Sequence, residues 1–239
     1  MLDYDGTLAP FRREPARAAP YPGIVPALDE LMAGGRTRLV IVSGRWTRDL
    51  VPLVALRERP EIWGVYGWER LMPDGSYVVG AVPETALAAL VAAEEWAEDL
   101  AALGAREERK PASIAFHWRG RRDEQIGSIR EALVHRWSEL GRPSGLALRD
   151  FDGGMELCAI GHDKGDAVRA LVAESGPDAV IAFLGDDQAD EDAFHAVPHS
   201  GASVLVSHVL RPTAAHLWLQ PPGELLTFLR RWRDARRGR

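Results

Sequence analysis

The 239-residue chain has a single cysteine, Cys158, which excludes an internal disulfide and a cysteine-built metal cage. It falls in the apolar run Met155 to Ile160, where a free thiol acts as a small buried hydrophobe. No run of eighteen apolar residues occurs, and no basic segment leads into an apolar one near the start; the expected location is the cytoplasm, with no membrane partner. Internal repeats are lacking, and the only compositionally biased stretch, the Ala-rich one from Ala86 to Ala102, reads as helix. Positive charge is in the minority, with 29 Lys and Arg against 35 Asp and Glu. A net charge of -6 disfavours nucleic acid as a partner. The C-terminal Arg230, Arg231, Arg233, Arg236, Arg237 and Arg239 run against it, as basic residues at a helix end do. What remains, 46% hydrophobic and 27% charged residues, is the composition of an ordinary globular protein long enough for one domain with a sizeable insertion.

The first third alternates apolar runs with helical patterns, as βαβ units on a parallel sheet do. A helix is expected over 25–32, then a strand buried on both faces at 38–42, with Ser43-Gly44-Arg45 at its carboxyl end. A strand over 61–67 follows, and then the pattern changes. Strands are expected at 77–82, 113–118, 146–149 and 155–160. Helices are expected over 84–103, with Leu87, Leu90, Val91, Ala97, Leu100 and Leu103 on one stripe, and over 123–140, with a turn at Asp152-Gly153-Gly154. The α/β pattern returns with a helix over 164–174, a strand over 179–184 ending in Gly185-Asp186-Asp187, a helix over 190–196, a strand over 202–206 and a helix over 222–233. The expected fold is α/β: a Rossmann-like parallel-sheet core of residues 1–71 and 161–239, with an inserted α+β cap of residues 72–160. A ligand site is expected in a cleft between them.

Met1-Leu2-Asp3-Tyr4-Asp5-Gly6-Thr7-Leu8 places two carboxylates on one side of an extended segment, with a glycine for the turn behind them. Such a pair suits a hard cation such as Mg2+ and a division between nucleophile and acid/base. Asp186 and Asp190, four apart at a strand-to-helix turn, supply further carboxylates, and Lys164 opens a helix. Together these groups suit phosphoryl transfer. Asp3 attacks phosphorus, Asp5 protonates the leaving oxygen and then activates water, Lys164 offsets the carboxylates, and Ser43 and Thr7 donate to phosphate oxygens. Taken singly, each has a plainer role: Ser43-Gly44 as a turn, Lys164 as a solvated helix start, Asp186-Asp187 as an acidic helix entry, Glu69 and Arg119 as a surface ion pair, His117 as a strand histidine. His162, His195, His199 and His216 read as structural or surface residues, and Trp68 as a candidate stacking surface.

Asp-x-Asp-Gly-Thr-Leu, Val-Ser-Gly-Arg, Asp-Lys-Gly and Gly-Asp-Asp-x-x-Asp-Glu, in this order, resemble the four signature motifs of the haloacid dehalogenase superfamily of phosphatases, whose cap here would be of the C2 type. Within it the trehalose-6-phosphate phosphatase family is the most similar. The likeness extends to Gly64 to Glu69, the segment Lys110 to Arg119, and the ending Ser203 to Val206 through Pro212-Thr213-Ala214-Ala215. It implies that Asp3 is the nucleophile and Asp5 the acid/base. The metal set would be Asp3, Asp5 through its backbone, Asp186, Asp187 and, in support, Asp190, with Thr7, Ser43, Gly44 and Lys164 for phosphate, and Arg45, Glu69, Lys110, His117, Arg119 and Glu156 for the sugar. The implied cofactor is Mg2+, the partner a phosphorylated sugar and the favoured state a monomer.

Four positions depart from the family pattern: Tyr66 stands for a usual His, Cys158-Ala159 for Arg-Pro after Glu156-Leu157, and Ala189 for Thr. They leave two alternatives in view, a phosphatase for another glycosyl or cyclitol phosphate, and a catalytically weak sugar-phosphate-binding or regulatory protein. The second is raised by the start of the chain. A buried central strand needs about five or six residues, and only Met1 and Leu2 precede Asp3, so either the strand continues upstream or the nucleophile stands on a frayed end.

Overall fold

The computed structural model describes residues 1–12, 14–140, 144–151 and 153–237, with Arg236 and Arg237 described by backbone alone. Asp152 of the expected turn and Arg239 of the basic tail lie outside the described residues, as do the side chains of Arg236 and Arg237. The chain forms two compact units, Met1–Val78 with His162–Arg239, and Val79–Gly161.

The first part of the chain forms α1 (Ile24–Ala33), β1 (Val40–Val42), α2 (Thr47–Val54), β2 (Glu61–Gly64), β3 (Glu69–Leu71) and β4 (Tyr77–Val79). Next come α3 (Glu84–Glu94), α4 (Ala97–Leu103), β5 (Arg106–Lys110), β6 (Ser113–His117), α5 (Asp123–Leu140), β7 (Leu146–Phe151) and β8 (Gly154–Ala159). The last part holds α6 (Lys164–Glu174), β9 (Ala182–Gly185), α7 (Glu191–Ala196), β10 (Ala202–Val206), β11 (Leu217–Leu219) and α8 (Gly223–Arg237).

In the first unit β1 pairs parallel with β2, and β10 pairs parallel with both β9 and β11. The opening residues join the two halves: Leu2 bridges in parallel to Ile41 and to Leu184. The Leu2 amide donates to Val40 O at 2.9 Å and the Asp3 amide to Leu184 O at 2.8 Å. Asp3 thus leaves the sheet at its centre, between β1 and β9. The pleat sends alternate residues to opposite faces. Ile41, Leu184, Val204 and Val206 pack with Leu28 of α1 and Leu225 and Leu229 of α8, while Val40, Val42 and Phe183 pack with Val168 and Leu171 of α6 and Phe194 of α7. Burial on both faces explains the unbroken apolar runs. Each such side chain contributes about 1.5–3 kcal/mol.

The second unit is an antiparallel sheet in the order β5-β6-β8-β7. Ile114, Phe116, Met155 and Leu157 of one face are buried. The register puts Glu108, Lys110, Ser113, His117 and Glu156 on the other.

Several expected boundaries move. The helix expected over 84–103 breaks at Glu95 and Trp96 into α3 and α4, so Leu87, Val91 and Leu103 are exposed while Ala86, Ala89, Leu90, Ala93 and Leu100 are buried. The strand expected over 61–67 stops at Gly64, because Val65 and Tyr66 turn the chain with left-handed φ of 48° and 57°. That expected over 77–82 ends at Val79, and that over 179–184 begins only at Ala182. The strands β3, β5 and β11 and the helix α2 are additions. No helix among the described residues is long and apolar enough to cross a membrane.

One ion-pair network in the first unit gives a pH-dependent stability. Glu61 accepts from Arg38 Nη2 at 2.6 Å, Arg70 Nε at 2.8 Å and Trp63 Nε1 at 2.8 Å, and Glu174 accepts from Arg70 Nη1 at 2.6 Å. The Arg70 hydrogen bonds, opposed by partial burial and aided by Arg38, hold the Glu174 carboxyl down at about 2, from an ordinary 4.5. Its stabilisation is therefore complete above the ordinary value and is lost as pH falls from about 4.5 to about 2. Glu174→Gln is expected to lower the urea midpoint modestly at pH 6, since the pair is partly exposed, and to match the unsubstituted chain near pH 2. An equal deficit at both pH values would refute this.

Candidate active site

The Asp3 carboxylate is 3% exposed and sits where the chain leaves the sheet. Its Oδ1 lies 2.7 Å from Lys164 Nζ, which also lies 2.7 Å from Asp190 Oδ1. The lysine is delivered by the start of α6. Asp163 caps that helix through a reciprocal pair, the Asp166 amide donating to Asp163 Oδ1 at 2.8 Å and the Asp163 amide to Asp166 Oδ2 at 3.1 Å. The other oxygen of Asp190, Oδ2, accepts from the amides of Asp186 and Asp187 at 2.9 and 3.1 Å, so this buried side chain shapes the turn after β9. Thr7 Oγ1 donates to Asp186 Oδ1 at 3.4 Å. Gly6 passes against the same carboxylate: its φ is +79°, and a Cβ there would lie 1.9 Å from Asp186 Oδ2.

Charge and burial oppose each other here. Burial pushes the Asp3 carboxyl up, and Lys164 only partly counters this. Burial, followed by the like charges of Asp3, Asp187 and Asp190, raises Asp186 well above the ordinary carboxylate range. For Lys164, burial pulls down, but Asp190 and Asp3 outweigh it and hold the ammonium well above its ordinary value. One lysine thus faces a crowd of carboxylates. Asp3, Asp186 and Asp190 each offer an oxygen, all within 4.8 Å of one another. An all-oxygen donor set with unrelieved negative charge fits a hard divalent cation.

Two other side chains of the expected metal set have partners of their own. Asp5 is held by Arg45 through Nε at 2.5 Å and Nη2 at 2.7 Å, and Arg45 Nη1 also donates to Pro15 O at 3.0 Å. Asp187 Oδ1 accepts from the Ala189 amide at 3.0 Å, capping a short 3-10 turn. Ser43 is buried and its Oγ accepts from the Arg45 amide at 3.2 Å. Gly44 lies under Tyr66, whose Cζ would be 2.6 Å from a Cβ. Glu69, fully buried, accepts from the Thr47 amide at 2.9 Å and from the Tyr77 hydroxyl, so it fixes the start of α2. Trp68 is 3% exposed and edge-on to His162 at 4.4 Å, which makes it a packing residue rather than a stacking surface.

In the second unit Glu156 Oε1 accepts from Lys110 Nζ at 2.7 Å and from Ser113 Oγ at 2.6 Å. His117 Nε2 lies 2.6 Å from Glu108 Oε2. Burial pushes the Glu108 carboxyl up, but the His117 bond and the Lys110 and Arg106 charges hold it at about 2. Arg119, half-buried, packs against Gly153. The sequence did not single out Ser113 or Glu108, although alternation from His117 and pairing across β5 and β6 places both on its face.

A parallel sheet with acidic groups at its carboxyl edge and a second unit carried between its halves is the fold of the haloacid dehalogenase-like hydrolases. One from B. subtilis superposes with a TM-score of 0.67 at 13% identity, covering 96% of this chain and 98% of that one. The C-terminal domain of C. albicans trehalose-6-phosphate phosphatase does so with a TM-score of 0.80 at 21% identity, covering 98% and 90%. At these identities both show the fold. A sequence profile described as Trehalose-phosphatase matches residues 1–221. The trehalose-phosphate phosphatase of Mycobacterium marinum is 34% identical over 241 residues, covering 95% of this chain and 59% of that protein. The chain belongs to the trehalose-phosphatase family, and it spans about three fifths of the length of that relative.

Proposed function

We propose that the protein is a Mg2+-dependent phosphatase that converts a phosphorylated sugar, trehalose 6-phosphate in the first place, to free sugar and phosphate. The observation that carries this is the buried Asp3–Lys164–Asp190 chain at the centre of the sheet. Asp3 forms a bond to phosphorus as the bond from phosphorus to the sugar oxygen breaks, and Asp5 gives that oxygen its proton. Water then gives a proton to Asp5, bonds to phosphorus and frees Asp3.

Asp3, Asp186 and the Asp5 backbone, supported by Asp190, would hold Mg2+, which when bound would neutralise phosphate charge. Thr7, Ser43, Gly44 and Lys164 address the phosphate. Arg45, Lys110, His117, Arg119 and Glu156 address the sugar, and Glu69 contributes by fixing α2.

The test is phosphate release from a panel of sugar phosphates, with Mg2+ and with a chelator. Trehalose 6-phosphate is expected to be turned over best, and only with the metal. A better glycosyl phosphate would replace the substrate assignment, a reading favoured by Tyr66 over Gly44 and by Cys158 after Glu156. Binding of sugar phosphate without turnover would instead establish the regulatory alternative.

A further inference from the structure

The turn after β9 is held from two sides, and only one of them lies within the signature motifs. On its amide side, Asp190 Oδ2 takes the N–H groups of Asp186 and Asp187. On its carbonyl side stands Arg211, from the segment after β10. Arg211 Nε and Nη2 each lie 3.3 Å from Asp186 O, and Nη2 donates to Asp187 O at 2.6 Å. Nη1 donates to Pro212 O at 3.0 Å and pairs with Glu191. Glu191, at the start of α7, uses its other oxygen to accept from the Ala214 amide at 2.7 Å. Arg211 and Glu191 therefore form a bracket between the turn that carries Asp186 and the Pro212-Thr213-Ala214-Ala215 segment.

We propose that Arg211 is a positioning residue for the divalent cation: by fixing the Asp186 and Asp187 carbonyls it sets the direction of the Asp186 carboxylate, and hence metal affinity. The inference rests on the metal reading given above. A guanidinium suits this task because its planar fork can serve several carbonyls at once without losing its charge. It reaches backbone oxygens and not the Asp186 carboxylate, so it leaves that ligand free of a competing cation. Groups that orient metal ligands without touching the metal typically change affinity by about 10–100-fold when removed.

The experiment is calorimetric titration of the full chain with Mg2+ in the absence of substrate, comparing the unsubstituted protein, Arg211→Gln and Arg211→Lys. The Mg2+ Kd is expected to rise at least about 10-fold in Arg211→Gln. Arg211→Lys keeps the charge but not the fork and is expected to recover only part of the loss. Thermal unfolding without metal checks that each variant folds. Should Arg211→Gln fail to fold, the decision passes to Arg211→Lys, where a Kd unchanged from the parent overturns the proposal. Equal Kd values for all three proteins overturn the Arg211 assignment alone. No Mg2+ binding by the unsubstituted chain overturns the metal reading and this proposal with it.

Discussion

Asp3→Asn is expected to lower phosphate release by about four orders of magnitude or more, with the fold retained. The amide matches the carboxylate in shape, and its oxygen can still accept from Lys164, which lies 2.7 Å from Asp3 Oδ1. What it lacks is the anionic oxygen that bonds to phosphorus. Stability should not suffer. Burial already disfavours the charge on Asp3, and Asp187 and Asp5 add like-charge repulsion. Removing one negative charge relieves that crowd, so a melting temperature at or above that of the parent should accompany the loss of turnover. Appreciable phosphate release by the variant would remove Asp3 as nucleophile.

Lys164→Met should unfold the site rather than merely silence it. Lys164 is 3% exposed and lies 2.7 Å from both Asp3 and Asp190. Methionine fills much of the same volume but leaves two buried carboxylates without their cation. Breaking a buried ion pair from one side costs about 3–5 kcal/mol. The same change frees Asp190, whose other oxygen holds the Asp186 and Asp187 amides, so the damage spreads to the turn after β9. Urea unfolding measures the loss, and a change below about 1 kcal/mol, the scale of an exposed pair, would show that Lys164 is not paired as described. High Mg2+ should restore part of the stability, because a bound cation replaces some of the missing positive charge.

The parallel core was readable because burial on both faces leaves a direct trace: Val40-Ile41-Val42 and Ala182-Phe183-Leu184 are apolar without interruption. The helix opening at Lys164 was readable as well, and the structure gives its local reason, a capping box at Asp163. β5 was not readable. Arg106-Glu107-Glu108-Arg109-Lys110 has no apolar period, and it is a strand because β6 pairs with all five residues; pairing overrides poor intrinsic preference. The break between α3 and α4 was hidden because the Ala-rich segment is helical in propensity on both sides of Trp96.

At the site, residue types could be read but partners could not. Nothing within eight residues of Asp5 indicates that Arg45, forty positions away, takes both its oxygens. Arg211 likewise reaches back 24 and 25 positions to carbonyl groups, which carry no side-chain signature at all. Residue type does not separate the five acidic positions of the expected metal set, yet Asp190 and Asp187 spend oxygens on backbone amides.

The chain holds only two lysines, Lys164 and Lys110, and their side chains are 3% and 7% exposed, one in each unit. Its surface cations are arginines. An acylating reagent aimed at lysine thus meets a folded protein with both targets shielded, and modification at either position records an opening of the unit that contains it. Because the two peptides differ in mass, a single time course followed by mass spectrometry resolves the breathing of each unit separately, without any label being engineered into the chain.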